Sequence, residues 1–245
     1  MLITRLTARE LPDSWCADLP AVRHLADHGL PLTVPVTFLV GENGTGKSTI
    51  MEAIADVSGI NSEGGKAGTK YASTGPATPL GEVLDADLTV AGGRLLHGPR
   101  LKRRAFFFRA ETLFNLARGV LTKEGKGFWA DNLTTQSHGE GFFTVLDYMV
   151  NGPGLYLLDE PEAALSFTSC LRLAALMHRV AGEGGQIICA THSPILTSLP
   201  GAQIIELGDH GARVAEWAEL PLVDDWRRFL ARPDLYMRHI VDQDV

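Results

Sequence analysis

Pro35-Val-Thr-Phe-Leu-Val40 runs directly into Gly41-Glu-Asn-Gly-Thr-Gly-Lys-Ser48, and that in turn into Thr49-Ile-Met-Glu-Ala-Ile-Ala-Asp-Val57. The first piece is short, β-branched and almost wholly apolar. A strand apolar on both faces belongs inside a parallel sheet covered by helices. The last piece places Ile50, Met51, Ile54 and Ala55 on one helical face before Gly59 stops it. The piece between them fits G-x-x-x-x-G-K-S/T in the strand-then-helix context that this pattern requires. Its glycines permit backbone conformations that a Cβ forbids, so amide N–H groups from Asn43 to Ser48 can converge on an anion at a helix N-terminus. Asn43, Gly44, Thr45, Gly46, Lys47, Ser48 and Thr49 are therefore the candidate phosphate-binding set. Lys47 is suited to β- and γ-phosphates, the Ser48 hydroxyl to Mg²⁺ and Thr49 to an α-phosphate.

Working outward, Gly154-Leu-Tyr-Leu-Leu158 and Gln186-Ile-Ile-Cys-Ala190 are two further short apolar runs. Ser166 to Val180 gathers Cys170, Leu173, Leu176, Met177 and Val180 on one face, which predicts a helix joining those strands as a βαβ crossover. Two apolar runs around Gly208-Asp-His-Gly211 predict a hairpin within Ala202 to Glu219. Asn61 to Pro99 reads as loops and short edge strands, and Asp224 to Ala231 as a short helix broken at Pro233.

The run at 155–158 ends in Asp159-Glu160. A buried strand ending in Asp delivers a carboxylate to the sheet edge beside the phosphate loop, where Asp159 can hold Mg²⁺. Glu160 can polarise a water that attacks a γ-phosphate. His192, in Thr191-His-Ser-Pro194 after the third run, can contact that phosphate. Glu160, His192 and Lys47 are the candidate catalytic residues.

Composition narrows the alternatives. The 245 residues are 45% hydrophobic, ample for a core, with a formal charge of −7 that argues against a general nucleic-acid or membrane coat. The longest apolar runs fall far short of the roughly 20 residues that span a bilayer, so no integral membrane segment is expected, and the cytoplasm is the expected location. Cys16, Cys170 and Cys189 lie far apart without metal-ligand spacing, which predicts buried, reduced thiols.

The order of these motifs resembles the ABC-type ATPase superfamily, and within it small stand-alone bacterial ATPases of the AAA type related to SMC- and RecF-like heads. The resemblance implies an α/β P-loop NTPase fold, with a mixed, mainly parallel sheet flanked by helices, and a single domain over 1–245. A small helical subdomain is implied at about 105–150. It further implies ATP and Mg²⁺ as ligands, ATP hydrolysis, and an ATP-dependent homodimer that acts on an unknown protein partner. In such a dimer a signature segment reaches the opposite nucleotide; Gln136-Ser-His-Gly-Glu140 stands at that place, so Ser137, Gly139 and Glu140 are implied nucleotide-binding residues. Ser137 and Gly139 fit the family pattern, whereas His138 and Glu140 depart from it. Phe106 to Glu111 falls where the family's Q-loop lies but contains no Gln; Arg109 or Glu111 stands in for it. Glu111 is preferred as a metal-side ligand with Ser48 and Asp159, although a plain core strand at Phe106 to Phe108 stays open. Trp15 is either an adenine-stacking residue or core. Two other roles remain in view: the ATP-binding subunit of an ABC transporter, and an ATPase clamp on nucleic acid in repair or antiviral defence, using Arg100, Lys102, Arg103 and Arg104.

Overall fold

A computed structural model of the protein describes residues 1–67, 76–99, 103–109, 143, 146–147, 149–150 and 152–241. Elements are numbered along the chain. The three apolar runs form β3 (Val36–Val40), β7 (Leu155–Asp159) and β8 (Gln186–Ala190), each buried at every position. They lie side by side and parallel, flanked by β6 (Ala105–Arg109) and β9 (Gln203–Gly208), also parallel. Short antiparallel strands close the edges, β4 (Gly65–Lys66) against β6 and β10 (Gly211–Val214) against β9. Among the described residues the sheet order is β10-β9-β3-β8-β7-β6-β4. The hairpin expected around Gly208 to Gly211 is thus present.

Period-two alternation sorts the strand residues onto two faces. Leu39, Phe107, Leu155, Leu157, Ile188 and Ile205 meet α1 (Pro20–Asp27) and α2 (Lys47–Val57), whose Leu25, Ile50, Met51 and Ile54 are fully buried. Phe38, Phe106, Phe108, Tyr156, Leu158 and Ile187 meet the opposite layer. There α5 (Phe167–Gly182) contributes Leu173, Met177 and Val180. The crossover β7–α5–β8 joins adjacent parallel strands, as the sequence predicts. Burying each such side chain contributes about 1.5–3 kcal/mol, and that drive sets the register. The three thiols are free and buried. No helix among the described residues is long and apolar enough to cross a membrane.

A second, antiparallel sheet of order β2-β1-β5 was not anticipated: β1 is Ile3–Ala8, β2 Leu30–Pro31 and β5 Leu84–Leu88. It is fastened to the main sheet by Gln186. That fully buried side chain accepts hydrogen bonds from the Leu2 and Ile3 amides at 2.7 and 2.8 Å and donates to the Ile3 carbonyl at 2.8 Å. Two further expectations are corrected. Besides loops and edge strands, 61–99 holds helices α3 (Pro79–Val83) and α4 (Val90–Leu96), each capped by a threonine hydroxyl accepting an amide hydrogen bond. Pro233 does not merely end α6 (Pro221–Ala231). It opens α7 (Pro233–Val241), because a proline in the first turn of a helix loses no hydrogen bond. Of the helical subdomain expected at about 105–150, β6 is a strand. Phe143, Leu146 and Val150 are buried on the α5 side, and most of the remainder lies outside the described residues.

Candidate functional site

The phosphate-loop motif spans the turn from β3 into α2. Gly41 is required by a close approach: a Cβ there would stand 2.4 Å from the Leu207 carbonyl oxygen. Gly46 caps α2 with φ at +97°, a conformation that glycine adopts without strain. Lys47 is buried, and its ammonium donates to the carbonyl oxygens of Gly41 at 2.8 Å and Glu42 at 3.0 Å, folding over the mouth of the loop. Burial lowers its pKa, while Glu160, Asp159, Glu42 and Glu162 oppose that shift. Asn43 and Gly44 are exposed at the loop tip, Thr45 donates its hydroxyl to the Glu42 carbonyl at 2.9 Å, and Ser48 and Thr49 are half-buried in the first turn of α2.

Parallel pairing brings the carboxyl ends of β7 and β8 beside this turn. Alternation aims Asp159 at the same face as Leu157, toward α2, and the Ser48 hydroxyl donates to Asp159 Oδ1 at 3.3 Å. Asp159 is 5% exposed; burial pushes its carboxyl up to about 6, with Arg109 and the Ser48 hydrogen bond holding it down and Glu160 and Glu52 adding to the rise. Two hard oxygen donors, a hydroxyl and a carboxylate, are a set that would suit a hard divalent cation such as Mg²⁺.

Glu160 is, among the described residues, the one non-glycine with positive φ (48°, ψ 50°). Its amide donates to the Ala190 carbonyl at 2.9 Å, and its carboxylate Oε1 stands 3.5 Å from His192 Nε2. A left-handed non-glycine residue costs about 1–2 kcal/mol and persists where surrounding contacts over-determine it. Here the chain must leave β7, turn its carboxylate toward the β8 loop and enter a 3₁₀ turn at Pro161–Ala164. His192 Nε2 is shielded from solvent and has no hydrogen-bond partner among the described residues. A shielded imidazole nitrogen with no hydrogen bond, beside the Glu160 carboxylate, is available to a ligand that completes the site.

The structure thus brings Lys47, Ser48, Asp159, Glu160 and His192 together. It adds two residues that sequence reasoning missed. Glu162 Oε1 accepts the His192 backbone N–H at 2.5 Å, tying the turn after β7 to the loop after β8. Glu52, one helical turn after Ser48, pairs with Arg109 at 2.6 Å; the i, i+4 spacing from Ser48 was the available signal. Arg109, one of the two residues weighed for the Q-loop position, reaches Asp159, Nε to Oδ2 at 3.6 Å. Its competitor Glu111 lies outside the described residues, as do Ser137, Gly139, Glu140, Arg100 and Lys102. Trp15 is 70% exposed, so its core reading is corrected; it sits in the turn that precedes Leu19, the neighbour of Gly46. Arg103 donates to the Gly98 carbonyl at 3.2 Å.

No family model matches the chain. A 60-residue stretch is 42% identical to the cytochrome c biogenesis ATP-binding export protein CcmA of Paracoccus denitrificans (strain Pd 1222). The stretch is 24% of this chain and spans 28% of that relative's length. The partial match to an ATP-binding export protein and the α/β architecture with its mainly parallel sheet are compatible with the P-loop fold expected from the sequence.

Proposed function

We propose that the chain binds ATP with Mg²⁺ at the loop 41–48 and hydrolyses it, acting as an ATP-driven dimerising switch for a protein partner. The observation that carries this reading is the meeting of Lys47, Ser48, Asp159, Glu160 and His192 at the carboxyl ends of three adjacent parallel strands. The partial likeness to an ATP-binding protein supports the choice of nucleotide.

The triphosphate displaces the Lys47 ammonium from the Gly41 and Glu42 carbonyls, and the freed cation neutralises the β- and γ-oxygens. Ser48 and Asp159 hold Mg²⁺, with Glu111 as a proposed further ligand; bound there, the ion supplies charge neutralisation on the phosphate oxygens. Backbone amides from Asn43 to Thr49 line the phosphates. Glu160 orients a water and accepts its proton as the water attacks γ-phosphorus in line with the β–γ bridging oxygen, whose bond to that phosphorus breaks to release ADP and inorganic phosphate. His192 Nε2 hydrogen-bonds the γ-oxygens, and Glu162 fixes the histidine's backbone while it does so. Positioning and charge stabilisation supply most of the acceleration in such a reaction. Ser137, Gly139 and Glu140 are proposed to meet the nucleotide of a second copy.

A second reading, the ATP-binding subunit of an exporter, is favoured by the partial likeness to an ATP-binding export protein. It uses the same site with a different partner. Glu160→Gln tests the chemistry that both share: nucleotide binding is retained while hydrolysis falls by about 100-fold or more, the scale of a general base, and a dimer accumulates in light scattering. Unchanged turnover in Glu160→Gln would refute the assigned base.

A further inference from the structure

Arg109 and Glu52 form a charged arm beside Asp159 that the hydrolysis steps above leave unused. Arg109 ends β6 and is the register partner of Asp159 on β7, so both side chains point to the face that α2 covers. Across that face, Ser48 and Glu52 lie one turn apart on α2. The guanidinium Nη1 meets Glu52 Oε1 at 2.6 Å and donates to the Ser62 carbonyl at 3.2 Å, and Cζ lies 5.8 Å from the Phe107 ring centroid. Its Nε stands 3.6 Å from Asp159 Oδ2, an ion pair longer than a hydrogen bond. The other carboxylate oxygen, Oδ1, takes the Ser48 hydroxyl.

The unequal distances carry the argument. A guanidinium can close on a carboxylate with two parallel hydrogen bonds, and a carboxylate so closed is lost to a divalent cation. Here the short contact goes to Glu52, and Asp159 keeps only the long one. The side chains are 17% (Arg109), 27% (Glu52) and 6% (Asp159) exposed, so solvent screens these charges weakly.

We infer that Arg109 is the cation that stands beside Asp159 before Mg²⁺ arrives, and that Glu52 is a positioning residue that holds this guanidinium aside so that the metal can take the carboxylate. The pair sets the metal affinity of the site without touching the nucleotide. The inference rests on the proposed Mg²⁺–ATP reading. It gives the two side chains opposite effects, whereas a merely structural pair would give the same effect from either side. Weakening the pull of Glu52 lets Arg109 close on Asp159. Removing Arg109 takes a positive charge away from the metal position.

The test uses Mn²⁺ as the probe, its free concentration followed by electron paramagnetic resonance at about pH 8, with the full chain and the non-hydrolysable analogue AMP-PNP. Glu52→Gln is expected to raise the Mn²⁺ dissociation constant about tenfold. Arg109→Gln is expected to lower it several-fold, and the double variant to follow Arg109→Gln. AMP-PNP affinity without metal stays near that of the wild type in all three. Thermal melting of each metal-free chain reports folding. If Arg109→Gln does not fold, Arg109→Met, which keeps an aliphatic stem and removes the cation, is expected to move the constant in the same downward direction. Both single variants weakening Mn²⁺, or neither changing it beyond about twofold, would overturn the inference while leaving the nucleotide site in place. A wild-type chain that takes no AMP-PNP with Mn²⁺ overturns the site reading, and this inference with it.

Discussion

Replacing Asp159 with Asn should make the nucleotide-free protein more stable, although it removes a residue on which the proposed activity depends. The Asp159 carboxyl is 5% exposed and pushed up to about 6 from an ordinary 3.8, chiefly by burial. Between those two values the folded chain keeps a proton on Asp159 that the unfolded chain has released. Stability therefore falls as pH rises through this window, and the cost is complete above it. A displacement of about two pH units, at about 1.4 kcal/mol each, makes that cost about 3 kcal/mol. Asn is near in shape, keeps an oxygen to accept the Ser48 hydroxyl, and carries no charge. The variant should gain about 3 kcal/mol in unfolding free energy at about pH 8, and less than about 1 kcal/mol near pH 4. In a chain of this length the larger gain corresponds to a melting temperature higher by roughly 6–12 °C. Urea denaturation of both proteins at the two pH values, without metal or nucleotide, measures it. A variant no more stable than the wild type at about pH 8, or a gap independent of pH, would refute the burial argument. Mg²⁺ with nucleotide should reverse the order, since a ligand stabilises only the chain that binds it.

Two other substitutions probe the scaffold that aims the site. At Glu160, held at φ 48°, Glu160→Gly should be more stable than Glu160→Ala by about 1 kcal/mol in chemical denaturation, because glycine enters the left-handed region without strain; equal stabilities would remove the strain. Gln186→Leu strips three buried hydrogen bonds from the Leu2 and Ile3 backbone and should cost about 3 kcal/mol or more, with faster amide exchange at both residues. A melting temperature like that of the wild type would show that the glutamine does not fasten the second sheet.

The central strands were legible because β3, β7 and β8 are buried on both faces, and only such strands are written as unbroken apolar runs. The helices α2 and α5 were legible for the complementary reason, a single apolar stripe ended by glycines. What escaped was decided by tertiary contact. In Ile3–Ala8 the burial alternates irregularly, and its pairing with β5 joins residues far apart in the chain. Within α4, Gly92 and Gly93 read as a break. Yet a Cβ at Gly92 would stand 2.2 Å from the Leu2 carbonyl, so packing against β1 demands a glycine there despite its poor helix propensity. At the site, Lys47 and Ser48 could be read from the fixed spacing of the loop 41–48, and Asp159 and Glu160 from their place at the end of an apolar run. Glu162 was hidden because its partner is the His192 backbone, across two strands. Glu52 reads as an ordinary solvated helix position until the sheet sets Arg109 opposite it.

The central claim is that the loop 41–48 grips a triphosphate through Lys47 at the mouth of the sheet. Isothermal titration of ATP with Mg²⁺ into the wild-type chain and into Lys47→Ala tests it most directly. The account predicts about one nucleotide bound per wild-type chain, with affinity lost by about 100-fold or more in the variant, the scale of a buried charge-assisted contact removed. Equal heats from the two proteins, or no binding to the wild type, would contradict it.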